Sequence, residues 1–175
     1  MNKINIIDIA HDLLSKHLNK DQIIVDATCG NGHDTFFIAP KVKVVHAFDI
    51  QISAIENTKA LNKDHTNIQY HHTSHEHITK LIDNYDGVIF NLGYLPKGDK
   101  QITTNHITTI QTLKSLHKKQ KGFILIVAYP GHTEGIIEQV AIQSFLDKSE
   151  IKYDVLRLPH FTKKDAPIIY FYQYT

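Results

Sequence analysis

The stretch Ile23-Ile24-Val25-Asp26-Ala27-Thr28-Cys29-Gly30-Asn31-Gly32-His33-Asp34-Thr35 decides the fold. An apolar run ends in an acid, crosses a loop in which Gly30 and Gly32 flank Asn31, and enters a helical pattern. About twenty residues further, a second apolar run, Val44-Val45-His46-Ala47-Phe48, ends in Asp49. The order is strand, glycine turn, helix, strand, acid. Glycine has no Cβ and tolerates positive φ, so such a loop lets the backbone approach a ligand closely. An acid closing the second strand is placed to accept hydrogen bonds from both hydroxyls of a ribose. The pattern predicts a nucleoside-bearing cofactor at the carboxyl end of a parallel sheet. The alternative is a tight strand-to-helix turn with no ligand.

The charges in the loop narrow the cofactor. A dinucleotide site wants a third glycine three residues after the second, with pyrophosphate on the helix N-terminus. Thr35 stands there instead, and Asp34 opens the helix where phosphate would be repelled. Asp26 adds a second acid. Carboxylates at this place suit a cation. S-adenosylmethionine carries an ammonium, a sulfonium and a ribose, and no phosphate. The D-A-T-C-G-N-G loop followed by Asp49 resembles the first two motifs of class I methyltransferases. The candidate cofactor-binding residues are Asp26, Thr28, Gly30, Asn31, Gly32, Asp34 and Thr35 in the loop and Asp49 and Gln51 after the second strand. Ser74 and His75 after the third strand and Asn91 after the fourth complete the set. After the third strand Thr73-Ser74-His75 stands where class I enzymes often carry an acid for adenine.

The rest of the chain continues the alternation. Ile4, Ile7, His11, Leu14 and Leu18 lie at helical spacing. Strands are predicted near 22–26, 43–48, 67–71, 86–91 and 123–128, with a final pair near 151–158 and 167–174. Helices are predicted near 34–39, 51–62, 75–83, 104–118 and 133–147, with Ile52, Ile55 and Leu61 turned inward on the second of these. Phe123-Ile124-Leu125-Ile126-Val127-Ala128 reads as a strand buried on both faces. Strands alternating with helices predict a Rossmann-like α/β fold, a seven-stranded, mostly parallel sheet with helices on both faces. The expectation is a single domain over 1–175, without repeat, linker or appended nucleic-acid-binding module.

Composition bounds the class. The chain has 175 residues, 42% hydrophobic, with a formal net charge of +1. That is ordinary for a globular domain and excludes a bulk polycation. No apolar run approaches the roughly 20 residues of a membrane span. The start, Met1-Asn2-Lys3, leads into an amphipathic pattern and not a signal peptide. One cysteine excludes an internal disulfide framework. These features predict a cytoplasmic protein with no membrane partner. The lysines cluster, as at Lys97 and Lys100 and at Lys163 and Lys164. Such clusters suit phosphate contacts, and equally an ordinary solvated surface.

Two further segments carry chemistry. Ile89-Phe90-Asn91-Leu92-Gly93-Tyr94-Leu95-Pro96-Lys97-Gly98-Asp99-Lys100 follows the fourth strand at the same sheet edge, where ligands bind in open α/β sheets. The Asn91 oxygen and a main-chain carbonyl are suited to accept N–H bonds from an amine and aim its lone pair. Tyr94 is suited to stack on a base. The layout is similar to the N-P-P-Y loop of amino-methyltransferases, with Leu92-Gly93 in place of the prolines. Ala128-Tyr129-Pro130-Gly131-His132-Thr133-Glu134-Gly135 follows the fifth strand. Tyr129, Gly131 and His132 are placed to line the target pocket, and His132 is equally placed to cap the next helix. The candidate catalytic residues are Asn91, Tyr94 and His132. The candidate substrate-binding residues are Leu92, Gly93, Tyr94, Lys97, Lys100, Tyr129, Gly131, His132, Lys163 and Lys164. Cys29 sits inside the cofactor loop, where a small buried residue is expected and not a nucleophile, so a ready-made nitrogen nucleophile is favoured. His71, His72, His75 and His77 crowd the third strand's end without H-E-x-x-H or H-x-x-E-H spacing, and no metal is expected.

The three segments in this order resemble the MnmM (YtqB-like) family of class I methyltransferases, a small bacterial family formerly labelled rRNA methylases. The resemblance spans nearly the whole chain and weakens after about residue 150. It implies methyl transfer from S-adenosylmethionine, leaving S-adenosylhomocysteine, to the exocyclic amine of 5-aminomethyl-2-thiouridine at the tRNA wobble position. The implied partner is the tRNA anticodon stem–loop, with a second subunit left open. An rRNA or small-molecule N-methyltransferase and a non-catalytic S-adenosylmethionine-binding module remain as alternatives.

Overall fold

Alternate residues of each central strand face opposite sides of one sheet, and both sides are apolar. Val25, Val88, Phe90, Ile124 and Ile126 pack with Ile78, Leu113, Leu116, Ile142 and Leu146 in one buried cluster. Ile24, Val45, Ile89, Leu125 and Val127 pack with Ile6, Ala10, Leu14 and Ile38 in the other. A strand with apolar residues on both faces needs a helical layer on each side, which is the doubly wound arrangement. The computed structural model describes residues 5–93, 105–157 and 166–174.

In chain order the elements are α1 (Ile6–Ser15), β1 (Ile23–Asp26), α2 (His33–Ile38), β2 (Val44–Asp49), α3 (Ile52–Leu61), β3 (Ile68–His72), α4 (Ile78–Leu81), β4 (Gly87–Asn91), α5 (His106–Lys119), β5 (Phe123–Ala128), α6 (Thr133–Lys148), β6 (Asp154–Arg157) and β7 (Ile168–Gln173). The sheet order is β3-β2-β1-β4-β5-β7-β6. β1 to β5 are parallel, while β7 runs antiparallel to β5 and to β6. The expected seven-stranded, mostly parallel sheet is present. β5 is buried at every position, as its unbroken apolar run predicts. β1 has β2 on one side and β4 on the other, so successive crossovers leave it in opposite directions. That topological switch point opens a crevice at the strands' carboxyl ends.

Three local expectations change. On α3, Ile55 is buried as expected, but Ile52 and Leu61 are exposed, at 53% and 38% of their surface. The inward face is Ala54, Ile55 and Thr58, continued by Asn62. Small and polar residues let this helix sit against the glycine loop at backbone distance, where two large aliphatics would not fit. On α1 the buried stripe is Ile6, Ala10 and Leu14, with Ile7 and His11 at its half-buried border. The helix expected over 75–83 begins as a 3-10 turn, His75–His77, before α4. No helix among the described residues is long and apolar enough to cross a membrane.

Candidate active site

The loop after β1 is fastened on both sides. The Ala27 N–H donates to the Ile89 carbonyl on β4, and the Cys29 N–H to the Phe48 carbonyl on β2. The turn then passes through Gly30 at φ 53° and Gly32 at φ 84°, the left-handed region. From below, α3 holds it. Thr58 Oγ1 donates to the Gly30 carbonyl at 3.1 Å, and Asn62 Nδ2 to the Gly32 carbonyl at 3.2 Å. A Cβ on Gly32 would lie 2.8 Å from Thr58 Cα. Only a glycine permits both the conformation and this approach.

Three carboxylates surround the turn. Asp26, fully buried, accepts from Thr35 Oγ1 at 2.6 Å and from the Thr28 N–H at 3.3 Å. Burial and the neighbouring Asp34 push its carboxyl up to about 7. Asp49 accepts from the Gly30 N–H at 3.0 Å through one oxygen and from the Gln51 N–H at 2.9 Å through the other. Burial raises its pKa against the pull of those main-chain donors. Each oxygen keeps a lone pair for a further donor. Asn31 joins α3 through Asn57 Nδ2 at 3.0 Å. Clustered acids, with Asp26 and Asp49 raised in proton affinity, are poised for a cation, not a phosphate.

Beside this turn stands the end of β4. The Asn91 N–H donates to Thr28 Oγ1 at 2.7 Å, and Asn91 Nδ2 donates to Asp34 Oδ2 at 2.9 Å. Asp34 Oδ1 meets His11 Nε2 at 2.7 Å. Asp34 is therefore shared between α1 and β4. Tyr129, after β5, completes the wall: burial, then the Asp34 charge, raise its hydroxyl's pKa, which keeps it a donor. Its ring lies 3.8 Å from where a Cβ on Gly93 would be. Leu92 is buried, its N–H on the Val127 carbonyl. Gly131 is exposed with open space around it.

Other candidates go elsewhere. His75 turns into the core. Its Nδ1 lies 2.8 Å from Thr112 Oγ1, whose own proton goes to the Thr108 carbonyl, so Nδ1 is the donor. Burial lowers its pKa to about 4, so the ring is neutral, and it packs edge-on against Phe90. Ser74 caps the 3-10 turn, accepting from the Glu76 N–H at 3.2 Å. His132 caps α6, its Nδ1 accepting from the Gly135 N–H at 3.1 Å. In the neutral ring the proton then sits on Nε2. Cys29 is buried, with its thiol pushed up by burial and the Asp26 charge, and it receives Thr58 Oγ1 at 3.4 Å. It holds no reactive thiolate. Tyr94, Lys97, Lys100, Lys163 and Lys164 lie outside the described residues.

His11 is the site residue that sequence reading missed. Its position in the apolar stripe of α1 looked like packing, and its ring does stack on Phe37, 3.8 Å away and 6° from parallel. No local motif signals that it reaches Asp34, 23 residues away in sequence.

Residues 45–173 match a family described as "Putative rRNA methylase". The chain belongs to this family. A structure from Clostridium thermocellum described in the same words is 32% identical and covers 100% of both chains at a TM-score of 0.87. A Streptococcus mutans protein solved in complex with S-adenosylhomocysteine is 29% identical, covers 97% of each chain and superposes at a TM-score of 0.82. Among curated proteins, the chloroplastic tRNA (mnm(5)s(2)U34)-methyltransferase of Arabidopsis thaliana is 32% identical over 79% of this chain. The chain spans 57% of that relative's length. The fold of this family member is that of the class I methyltransferases, as its motif order implied.

Proposed function

We propose that this protein is an S-adenosylmethionine-dependent tRNA methyltransferase. The reaction is direct transfer of a methyl group to the exocyclic amine of 5-aminomethyl-2-thiouridine at the wobble position, giving 5-methylaminomethyl-2-thiouridine. The observation that carries this reading is Asn91. Its main chain is tied to the cofactor loop through Thr28, and its side-chain amide stands at the end of β4. A carbonyl acceptor beside a cation-binding loop suits an amine nucleophile. The buried thiol of Cys29 argues against covalent attack on a pyrimidine ring. The name borne by the Arabidopsis relative supplies the nucleoside.

The residues fit the cofactor. Asp26 and Asp34 place carboxylates beside Gly30 and Gly32 for its ammonium group, and Asp49 has lone pairs for its ribose. Bound S-adenosylmethionine supplies the electrophilic methyl group. The protein's part is alignment. An alkylamine is largely protonated at neutral pH, so the pocket must favour its neutral form by partial desolvation. Asn91 orients the nitrogen lone pair. The excess proton leaves to solvent after transfer. Such catalysis rests on positioning. The anticodon stem–loop is held on the same face, with Tyr94, Lys97, Lys100, Lys163 and Lys164 as the base-stacking and phosphate contacts. A single domain acting in the cytoplasm, where the tRNA is, completes the reading.

Nucleoside mass spectrometry of tRNA from a strain lacking the gene is the test. The expected result is accumulated 5-aminomethyl-2-thiouridine, converted in vitro by the purified protein. Unchanged tRNA together with an under-methylated rRNA position would overturn the assignment in favour of rRNA. With purified protein, Asn91→Ala should lower the single-turnover rate far more than cofactor affinity.

A further inference from the structure

Asp34 joins two elements that no local pattern connects. One oxygen meets His11 Nε2 at 2.7 Å and the other meets Asn91 Nδ2 at 2.9 Å. The carboxylate is largely buried, at 11% of its side-chain surface exposed, and His11 at 18%. The His11 ring is itself fixed by stacking on Phe37. A carboxylate only accepts, so it dictates which end of the Asn91 amide faces it: the NH₂ group points to Asp34 and the carbonyl oxygen points away. We infer that Asp34, braced by His11, is a positioning residue that fixes the polarity of the Asn91 amide, so that an acceptor and not a donor faces the substrate amine. This rests on the amine-methylation reading above.

The physical need is specific. An amide's two ends are nearly equal in shape, and rotation about its last torsion exchanges them. With the NH₂ end turned to the pocket, its protons would meet the protons of an ammonium or compete for the lone pair of a neutral amine. A hydrogen bond to a charged group sustains a preference of about ten- to a hundredfold for one orientation. The same bond polarises the amide and makes its carbonyl a better acceptor. Asp34 thus does more than attract the cofactor. The other charged or titratable groups facing it are Asp26, which its charge raises, and the Tyr129 hydroxyl, which stays protonated.

The test is an exchange of polarity. In Asp34→Asn the acceptor oxygen of the new amide keeps His11, so its NH₂ faces Asn91 and turns the Asn91 carbonyl inward. The pocket then receives a donor. We expect turnover at saturating S-adenosylmethionine to fall by about a hundredfold, over and above any loss of cofactor affinity from removing a charge beside the loop. The reciprocal double variant D34N/N91D presents a carboxylate oxygen to the pocket and should recover at least about tenfold of the D34N loss. A packing role would not be rescued by exchanging the two groups. Near-normal turnover in D34N overturns the proposal. So does a folded double variant no faster than D34N. So does a D34N variant that loses cofactor affinity yet reacts normally at saturation, since Asp34 would then act on the cofactor alone. The ¹⁵N side-chain amide signals of Asn91, recorded without substrate, separate this proposal from the substrate assignment. They should move in D34N even if wild-type protein proves inactive on tRNA. If they do not move, the amide is not held by Asp34.

Discussion

Asp26 offers the sharpest test of the cofactor site, because its chemistry is set by burial. Its carboxyl, at about 7, ionises near neutrality in the free protein, chiefly from desolvation and then from Asp34. A ligand carrying an ammonium and a sulfonium favours the ionised form. Binding below about pH 7 must therefore expel a proton, and affinity must rise with pH. The sign follows from the carboxyl being neutral at low pH in the free protein and charged in the complex. If the complex brings the carboxyl back to its ordinary range, the ionised fraction of free protein rises about tenfold between pH 6 and pH 8. S-adenosylmethionine should then bind about tenfold more tightly at pH 8, worth about 1.4 kcal/mol. Calorimetry in two buffers of different ionisation enthalpy reads affinity and proton release together, with close to one proton lost per ligand near pH 6. The cofactor's own amino group also titrates, so the same series on Asp26→Asn isolates the Asp26 contribution. A pH profile identical in wild type and Asp26→Asn would refute the reasoning, because a buried carboxylate facing a bound cation cannot be silent.

Three other outcomes are expected. Asp49→Ala should weaken S-adenosylmethionine by one to two powers of ten, roughly 1.5–3 kcal/mol for charge-assisted bonds, read by calorimetry on folded protein. Asp49→Asn separates the ribose role from the bonds to Gly30 and Gln51, since one amide oxygen can still accept from only part of that set. Gly32→Ala should destabilise the fold by roughly 1–2 kcal/mol from the left-handed conformation alone, and by more from the clash with Thr58 Cα, as measured by chemical denaturation. Replacing Lys97 and Lys100 together by Ala should reduce the slope of log tRNA affinity against log salt by about one to two, while S-adenosylmethionine binding stays salt-independent.

The glycine loop, the acids that flank it and the alternation of strands and helices are written locally. Each depends on residues within a few positions of one another, so the class I fold, the edge that binds cofactor and the candidate roles of Asp26, Asp49 and Asn91 are legible without coordinates. The inward face of α3 was not. Ile52 and Leu61 are its obvious apolar residues, yet contact with a backbone loop selected Ala54, Thr58 and Asn62, because close approach rewards small side chains that donate to carbonyls. The histidines show the same division. His75 and His132 sit in motifs, and the tertiary structure assigns one to the core and the other to a helix cap. His11 sits in no motif and enters the site. What decided between them was which polar atom each ring met across the fold, and a hydrogen bond spanning 23 or 57 positions, as at His11–Asp34 and Asn91–Asp34, leaves no periodic trace in one sequence.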